Sequence, residues 1–263
     1  MDVQSHNKAA WDLNVSKQNQ WTQPVSPEVI QAARSDAVSI VLTPVKRVPN
    51  HWYPTLTGAK TLCLAAAGGQ QAPILAAAGA LVTVLDNSPK QLAQDRFVAN
   101  RDCLPLTTIE GDMADLSQFH DNSFDLIFHP CSNCFVPDVL VVWKECHRVL
   151  KPGGILLAGF VNSVRYIFDH ERKENGNLEV KHALPYSDVD HLHETHIQEV
   201  MQKSEPLEFS HTLEEQVGGQ LQAGLMLTDM FEDRWAAEAN DPLSKFMDTY
   251  IATRAIKPEI KAY

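Results

Sequence analysis

Residues 61–71 read Thr-Leu-Cys-Leu-Ala-Ala-Ala-Gly-Gly-Gln-Gln, and the residues that follow, Ala72–Ala78, have helical character. A short, unbroken apolar run predicts a strand buried on both faces, as in a parallel sheet, rather than a half-exposed strand. The small residues after it let backbone approach a ligand closely, and the amino end of the next helix favours an anionic group there. A glycine pair suits tight strand–helix packing equally well. The G-x-G-x-x-G dinucleotide pattern is absent, which counts against a nicotinamide cofactor.

The same rhythm extends outward from this segment. Thr61–Ala65, Leu81–Asp86, Thr107–Glu110, Phe124–His129 and Ile155–Phe160 read as strands. Ala72–Ala78, Pro89–Arg101 and Val136–Leu150 read as the helices between them. Alternation of this kind predicts an α/β fold, a parallel sheet with helices on both faces and right-handed crossovers. Further on, Leu213–Ala223 reads as a helix, and Leu225–Phe231 and Phe246–Ile256 as strands that pair antiparallel. Before the sheet, helices are expected at about 5–19 and 27–40, the second opening on Ser26-Pro27, a cap followed by a first-turn proline. Pro44, Pro49 and Pro54 then break the chain. Residues 161–211 are charged, rich in His and weakly periodic. The expected organisation is a helical leader, 1–58, and one domain, 59–263, with an insertion at 161–211.

Composition agrees with one large globular domain: 263 residues, 44% hydrophobic and 21% charged. The net charge of -11 is uneven. Residues 1–160 carry 12 basic and 14 acidic side chains, and residues 161–263 carry 10 and 19. Such a chain repels a phosphate backbone, so no nucleic-acid partner is expected. Cys63, Cys103, Cys131, Cys134 and Cys146 form no disulfide framework, and a reduced, cytoplasmic setting is expected. The opening residues lack a signal-peptide pattern, and the most apolar stretch, Ile74–Leu85, is short of the ~20 residues of a spanning helix, so no membrane partner is expected.

Polar and small residues collect at the strand ends, where open α/β sheets bind ligands. Asp86 ends the second strand, and a carboxylate there accepts from both hydroxyls of a ribose. Asp86-Asn87-Ser88-Pro89 also reads as a helix cap. The third strand ends in Glu110-Gly111-Asp112-Met113, suited to a purine or to a plain turn, and the fourth in His129-Pro130-Cys131-Ser132-Asn133.

Three strand ends of this kind, followed by Arg148-Val149-Leu150-Lys151-Pro152-Gly153-Gly154, resemble the class I S-adenosylmethionine-dependent methyltransferases, in their small-molecule branch. The last motif is a helix end, a proline stop and a flexible turn. The resemblance covers about residues 60–160. It implies a Rossmann-like three-layer sandwich with a seven-stranded, mostly parallel sheet whose last strand is antiparallel. It further implies S-adenosylmethionine as cofactor, S-adenosylhomocysteine as product and methyl transfer to a small-molecule acceptor. By position, Ala65, Ala66, Ala67, Gly68 and Gly69, with Gln71 beyond them, would hold the methionine part of the cofactor. Asp86 and Asn87 would hold the ribose, and Gly111, Asp112 and Met113 the adenine. His129 and Pro130 would border the methyl group. Where the family has an acid in the first strand and two glycines in the loop, this chain has Cys63, Ala65 and Ala67; only Gly69 matches. A left-handed backbone at either alanine would cost on the order of 1 kcal/mol.

An in-line displacement from an activated sulfonium needs alignment and exclusion of water more than a catalytic dyad. His129 is the candidate base, and Asn133 a candidate for orienting the acceptor. Trp11, Trp21 and Tyr166, with Phe168 and Tyr186, are candidates for covering the cofactor or lining the acceptor pocket. Cys131-x-x-Cys134 has no second pair, and His191, His193 and His196 lack zinc-protease spacing, so no metal is expected. A non-catalytic module binding the cofactor or another adenosine compound is the alternative, motivated by the two alanines.

Overall fold

The computed structural model describes residues 2–35, 38–191, 200 and 205–259. Seven strands form one sheet in the order β3-β2-β1-β4-β5-β7-β6. They are β1 Lys60–Leu64, β2 Leu81–Asp86, β3 Leu106–Glu110, β4 Phe124–His129, β5 Leu150–Val161, β6 Met226–Asp233 and β7 Tyr250–Ile256. The first five pair in parallel, and β7 runs antiparallel to both β5 and β6, as expected.

The unbroken apolar runs are explained by two cores. Successive strand residues point to opposite faces. Cys63, Leu126, Phe128 and Leu157 enter the core under α2 (Pro27–Ala33), α3 (Gln71–Ala77) and α4 (Pro89–Asp102). Leu62, Leu64, Ile127 and Leu156 enter the core under α5 (Val139–Val149), around the fully buried Trp143. A strand apolar on one face only would leave one of these layers without a floor.

Several boundaries differ from expectation. The second leader helix stops at Ala33 rather than near 40. Ile40 and Leu42 are buried instead as part of an irregular turn closed by a Val41–Arg47 bridge, so their apolar character serves packing, not helical periodicity. The 148–154 motif is not a free turn: β5 begins at Leu150, directly after α5, not at Ile155. Arg148 locks this corner, donating to Glu145 and Asp121 and to the carbonyls of Leu116 and Phe119. The 213–223 segment is a π-helical turn, Glu214–Gly218, followed by α-helical Gly219–Gln222. Gly219 allows this segment to press on Trp143, since a Cβ there would lie 2.8 Å from its ring. β7 starts at Tyr250, and Phe246 lies outside it in the open, 76% exposed.

The leader crosses the carboxyl ends of the strands. Its first helix, α1 (Val3–Ser16), caps α4 through Asp12, which accepts from Ser88 Oγ at 2.6 Å and Lys90 N at 3.2 Å. At the other end of the same helix, the buried Asn7 side chain donates to the carbonyls of Phe135 and Leu207 and accepts from Leu207 N. Asn7→Ala would leave these groups unpaired, so we expect a loss of about 2 kcal/mol or more in denaturant unfolding.

Candidate functional site

One cavity of about 840 Å³ opens along the strand ends, under the leader. Its floor at one end is the loop after β1. Ala65 and Ala67 both adopt left-handed backbone, φ 47° and 52°, and Gly69 follows at 76°. The loop therefore keeps a glycine-type path with alanines in it, and both alanines line the cavity. Gly68 is needed for a different reason: a Cβ there would lie 2.3 Å from the Gln91 carbonyl oxygen. Side chains of α4 hold the loop from beneath, with Gly68 N donating to Gln91 Oε1 and Gly69 N to the buried Asp95. The leader holds it from above, where Val25 N donates to the Gly69 carbonyl at 2.8 Å. Ala65→Gly and Ala67→Gly should each relieve the alanine strain. We expect each to raise thermal stability by a few tenths to about 1 kcal/mol.

Asp86 sits at the end of β2 on the cavity wall, 8% exposed. Burial pushes its carboxyl up to about 7; the Ser88 N–H bonded to Oδ1 pulls the other way, and the nearby Asp12 adds to the rise. Asn87, Gly111, Asp112 and Met113 line the same end. Asp112 holds its own turn, accepting from Ala114 N at 2.9 Å. Gln71, at the start of α3, is 5% exposed, lines the cavity and leaves its Oε1 without a hydrogen-bond partner in the described structure. A buried acceptor beside a cavity takes its donor from a water or a ligand.

Pro130 lines the cavity beside these residues, whereas His129, Asn133, Ala66, Gly68 and Gly69 lie behind its walls. His129 is fully buried: Nδ1 lies 2.9 Å from the Leu64 carbonyl oxygen, and Nε2 pairs with Asn133 Oδ1. Burial holds the His129 pKa below its ordinary value. Asn133 passes the contact on to Gln216. These two residues tie the β4 end to the π-helical turn rather than facing a ligand.

Trp11, Trp21 and Tyr166 do line the cavity. Trp11 packs edge-on against Phe135, and Trp21 packs tilted against Trp235, so the leader contributes aromatic walls at two points. Of the insertion histidines, His191 packs on Tyr186, and His193 and His196 lie outside the described residues. Sequence reasoning missed Asn7, Gln91, Asp95 and Glu208. Each works through a partner at least 20 residues away, and no local pattern marks it.

The sheet order, the strand-end cavity and the left-handed loop define a Rossmann-like α/β fold with a ligand-sized crevice, and comparison with known proteins gives its family. A methyltransferase-domain family model matches residues 62–158. The chain is 49% identical to the uncharacterized methyltransferase YbaJ of Bacillus subtilis (strain 168), over 96% of this chain and 98% of that one. It belongs to the class I S-adenosylmethionine-dependent methyltransferases, and S-adenosylmethionine is its cofactor. Among solved structures, an S-adenosylmethionine-dependent methyltransferase from Mesorhizobium loti shares the fold at TM-score 0.60 and 17% identity, over 87% of this chain and 99% of that one. The 1,6-didemethyltoxoflavin-N1-methyltransferase of Burkholderia thailandensis, with bound 1,6-didemethyltoxoflavin and S-adenosylhomocysteine, does so at 0.57 and 13%, over 97% and 88%.

Proposed function

We propose that the protein transfers the methyl group of S-adenosylmethionine to a small-molecule acceptor held in the 840 Å³ cavity. The observation that carries this reading is the cavity's continuity. It runs from Ala65, Asp86 and Asp112 to a second, aromatic end built by Tyr166, Tyr186 and Tyr250. Its volume is within the range of ~300–1,000 Å³ usual for small-ligand sites. The Burkholderia neighbour, which shares the fold, is bound to 1,6-didemethyltoxoflavin together with S-adenosylhomocysteine, in keeping with a small acceptor.

The residues of the first end fit the cofactor. The left-handed 65–69 loop and the unpartnered Gln71 Oε1 suit its methionine part, whose ammonium group would donate to Gln71. Asp86, with Asn87 beside it, would take the ribose hydroxyls, and Gly111, Asp112 and Met113 would border the adenine. The cofactor supplies a methyl group already activated on a sulfonium. The chain's own part is to align the acceptor and keep water out, which the leader does by roofing the strand ends. His129 is assigned a structural role, because both ring nitrogens are engaged and the ring does not reach the cavity. Among the described residues no helix is long and apolar enough to cross a membrane. We place the reaction in the cytoplasm, where the five free thiols stay reduced.

The test is to incubate the protein with methyl-labelled S-adenosylmethionine and, separately, a small-metabolite extract, bulk RNA and bulk protein. Label is expected in the small-metabolite fraction. Label confined to RNA or protein would overturn the reading.

A further inference from the structure

The aromatic end of the cavity contains a carboxylate that none of the cofactor-binding roles uses. Glu208 lines the cavity, and its Oε2 accepts from the Tyr166 hydroxyl at 2.8 Å. Among the described residues, none donates a hydrogen bond to its other oxygen, Oε1. Of the neighbouring charges, Lys173 donates to the Arg165 carbonyl at 3.5 Å, and Asp188 and Arg165 have partners of their own. Asp188 accepts from the Tyr186 hydroxyl at 2.7 Å and from Glu208 N at 2.6 Å. Arg165 pairs with Asp241 at 3.1 Å and lies over the Tyr250 ring.

The wall that carries Glu208 is fixed against the loop after β4. Phe209 N donates to the Cys134 carbonyl at 2.7 Å, and His211 Nε2 lies 3.0 Å from the carbonyls of Asn133 and Val136. Asn7 clamps Leu207 to the same loop, and Ser210 N donates to the Tyr186 carbonyl. Tyr166 and Tyr186 are stacked, ring centres 5.5 Å apart. Glu208 is therefore held on a rigid aromatic wall, facing the loop that begins with Pro130.

Building on the methyl-transfer reading above, we propose that Glu208 is the hydrogen-bond and proton acceptor for the methyl acceptor. The acceptor is then a small molecule with an apolar or aromatic body that presents an N–H or O–H nucleophile, an amine or a phenol-type hydroxyl. The nucleophile's lone pair forms the new bond to the methyl carbon as the carbon–sulfur bond breaks, its electron pair staying on sulfur. The proton displaced from nitrogen or oxygen passes to Glu208 Oε1 and from there to water on product release. Burial raises the Glu208 carboxyl above the usual carboxylate range; the Tyr166 hydroxyl and the charges of Arg165 and Lys173 oppose the rise, and Asp188 adds to it. That direction suits a group that must take up a proton near neutral pH. A carboxylate placed against Oε1 would meet the Glu208 charge directly, with no proton to donate to it.

The experiment measures binding of benzylamine, phenol and benzoate to the protein saturated with S-adenosylhomocysteine, by ligand-observed NMR. Benzylamine and phenol are expected to bind, and benzoate at least tenfold more weakly. Benzylamine affinity should fall as pH drops through the Glu208 titration. Glu208→Gln should weaken benzylamine tenfold or more, abolish that pH dependence and leave S-adenosylhomocysteine affinity unchanged. Equal binding of benzoate by the wild-type protein overturns the proposal without any variant. So does an unchanged benzylamine affinity in Glu208→Gln, or binding of S-adenosylhomocysteine with no binding of benzylamine or phenol. Failure of S-adenosylhomocysteine itself to bind would sink the methyl-transfer reading, and this proposal with it.

Discussion

Asp86→Asn is expected to weaken S-adenosylhomocysteine binding roughly 100-fold or more while making the unliganded protein more stable at pH 8. The two effects have opposite signs because one group causes both. In the proposed complex Asp86 accepts from both ribose hydroxyls, and hydrogen bonds to a charged group contribute about 1.5–3 kcal/mol each. An amide at this position accepts one such bond and presents its NH₂ to the other hydroxyl. In the free protein the carboxylate is a liability, since burial lifts its pKa from 3.8 to about 7. A proton held more tightly by the folded than by the unfolded chain stabilises the fold at low pH. That contribution is fully present below 3.8 and is lost as pH rises through about 7. Cofactor affinity runs the other way, because both hydroxyls bind the ionised form. Titration calorimetry at pH 6 and pH 8 should show affinity about tenfold weaker at pH 6. Asp86→Asn should flatten that difference. Equal affinity of the wild-type protein at both pH values would remove Asp86 from the ribose site.

The second large effect is expected from Gly68→Ala. The added methyl would sit 2.3 Å from the Gln91 carbonyl oxygen, a backbone atom of α4 that cannot swing aside. The loop must lift, stretching the bonds from Gly68 N to Gln91 and from Gly69 N to Asp95. Overpacking of this kind costs about 1–3 kcal/mol, and a stretched buried bond adds to it. We expect a melting temperature several degrees lower and S-adenosylhomocysteine affinity at least tenfold weaker. Ala65→Gly, three residues away, should shift the melting temperature upward. The contrast separates a glycine needed for closeness from alanines tolerated in a glycine conformation. If Gly68→Ala melts and binds like the wild type, the α4 grip does not hold the loop in place.

The sheet was legible because its strands are buried on both faces. Leu62 and Leu64 serve one core and Cys63 the other, so the chain displays an unbroken apolar run that no amphipathic helix shares. Strand-end residues such as Asp86 and Asp112 were legible because the fold places such ends around one crevice. The leader was less so. Ile40 and Leu42 are as apolar as helix residues, but they are buried by a turn whose contacts come from β5: Leu42 lies where a Cβ on Gly159 would touch its carbonyl oxygen at 2.1 Å. His129 illustrates the opposite case. Its position at a strand end suggested chemistry, whereas its partners, Leu64 and Asn133, enclose it. The wall of Tyr166 and Glu208 was the least legible part. Tyr166 and Glu208 meet across 42 positions of sequence, and nothing local in either segment announces the other.

The Asn7 clasp also has a consequence for the order in which the protein takes shape. Asn7 and Leu207 are 200 residues apart. At a synthesis rate of ~5–20 residues per second, α1 must wait on the order of 10–40 seconds before its partner exists. The contacts of α1 are thus complete only after residue 207 has been made, and closing so large a loop is deferred until the sheet has drawn the ends together. A chain cut short before residue 207 would lack the partner that seats α1, so the roof over the site is completed only after the segment carrying Leu207 has been made.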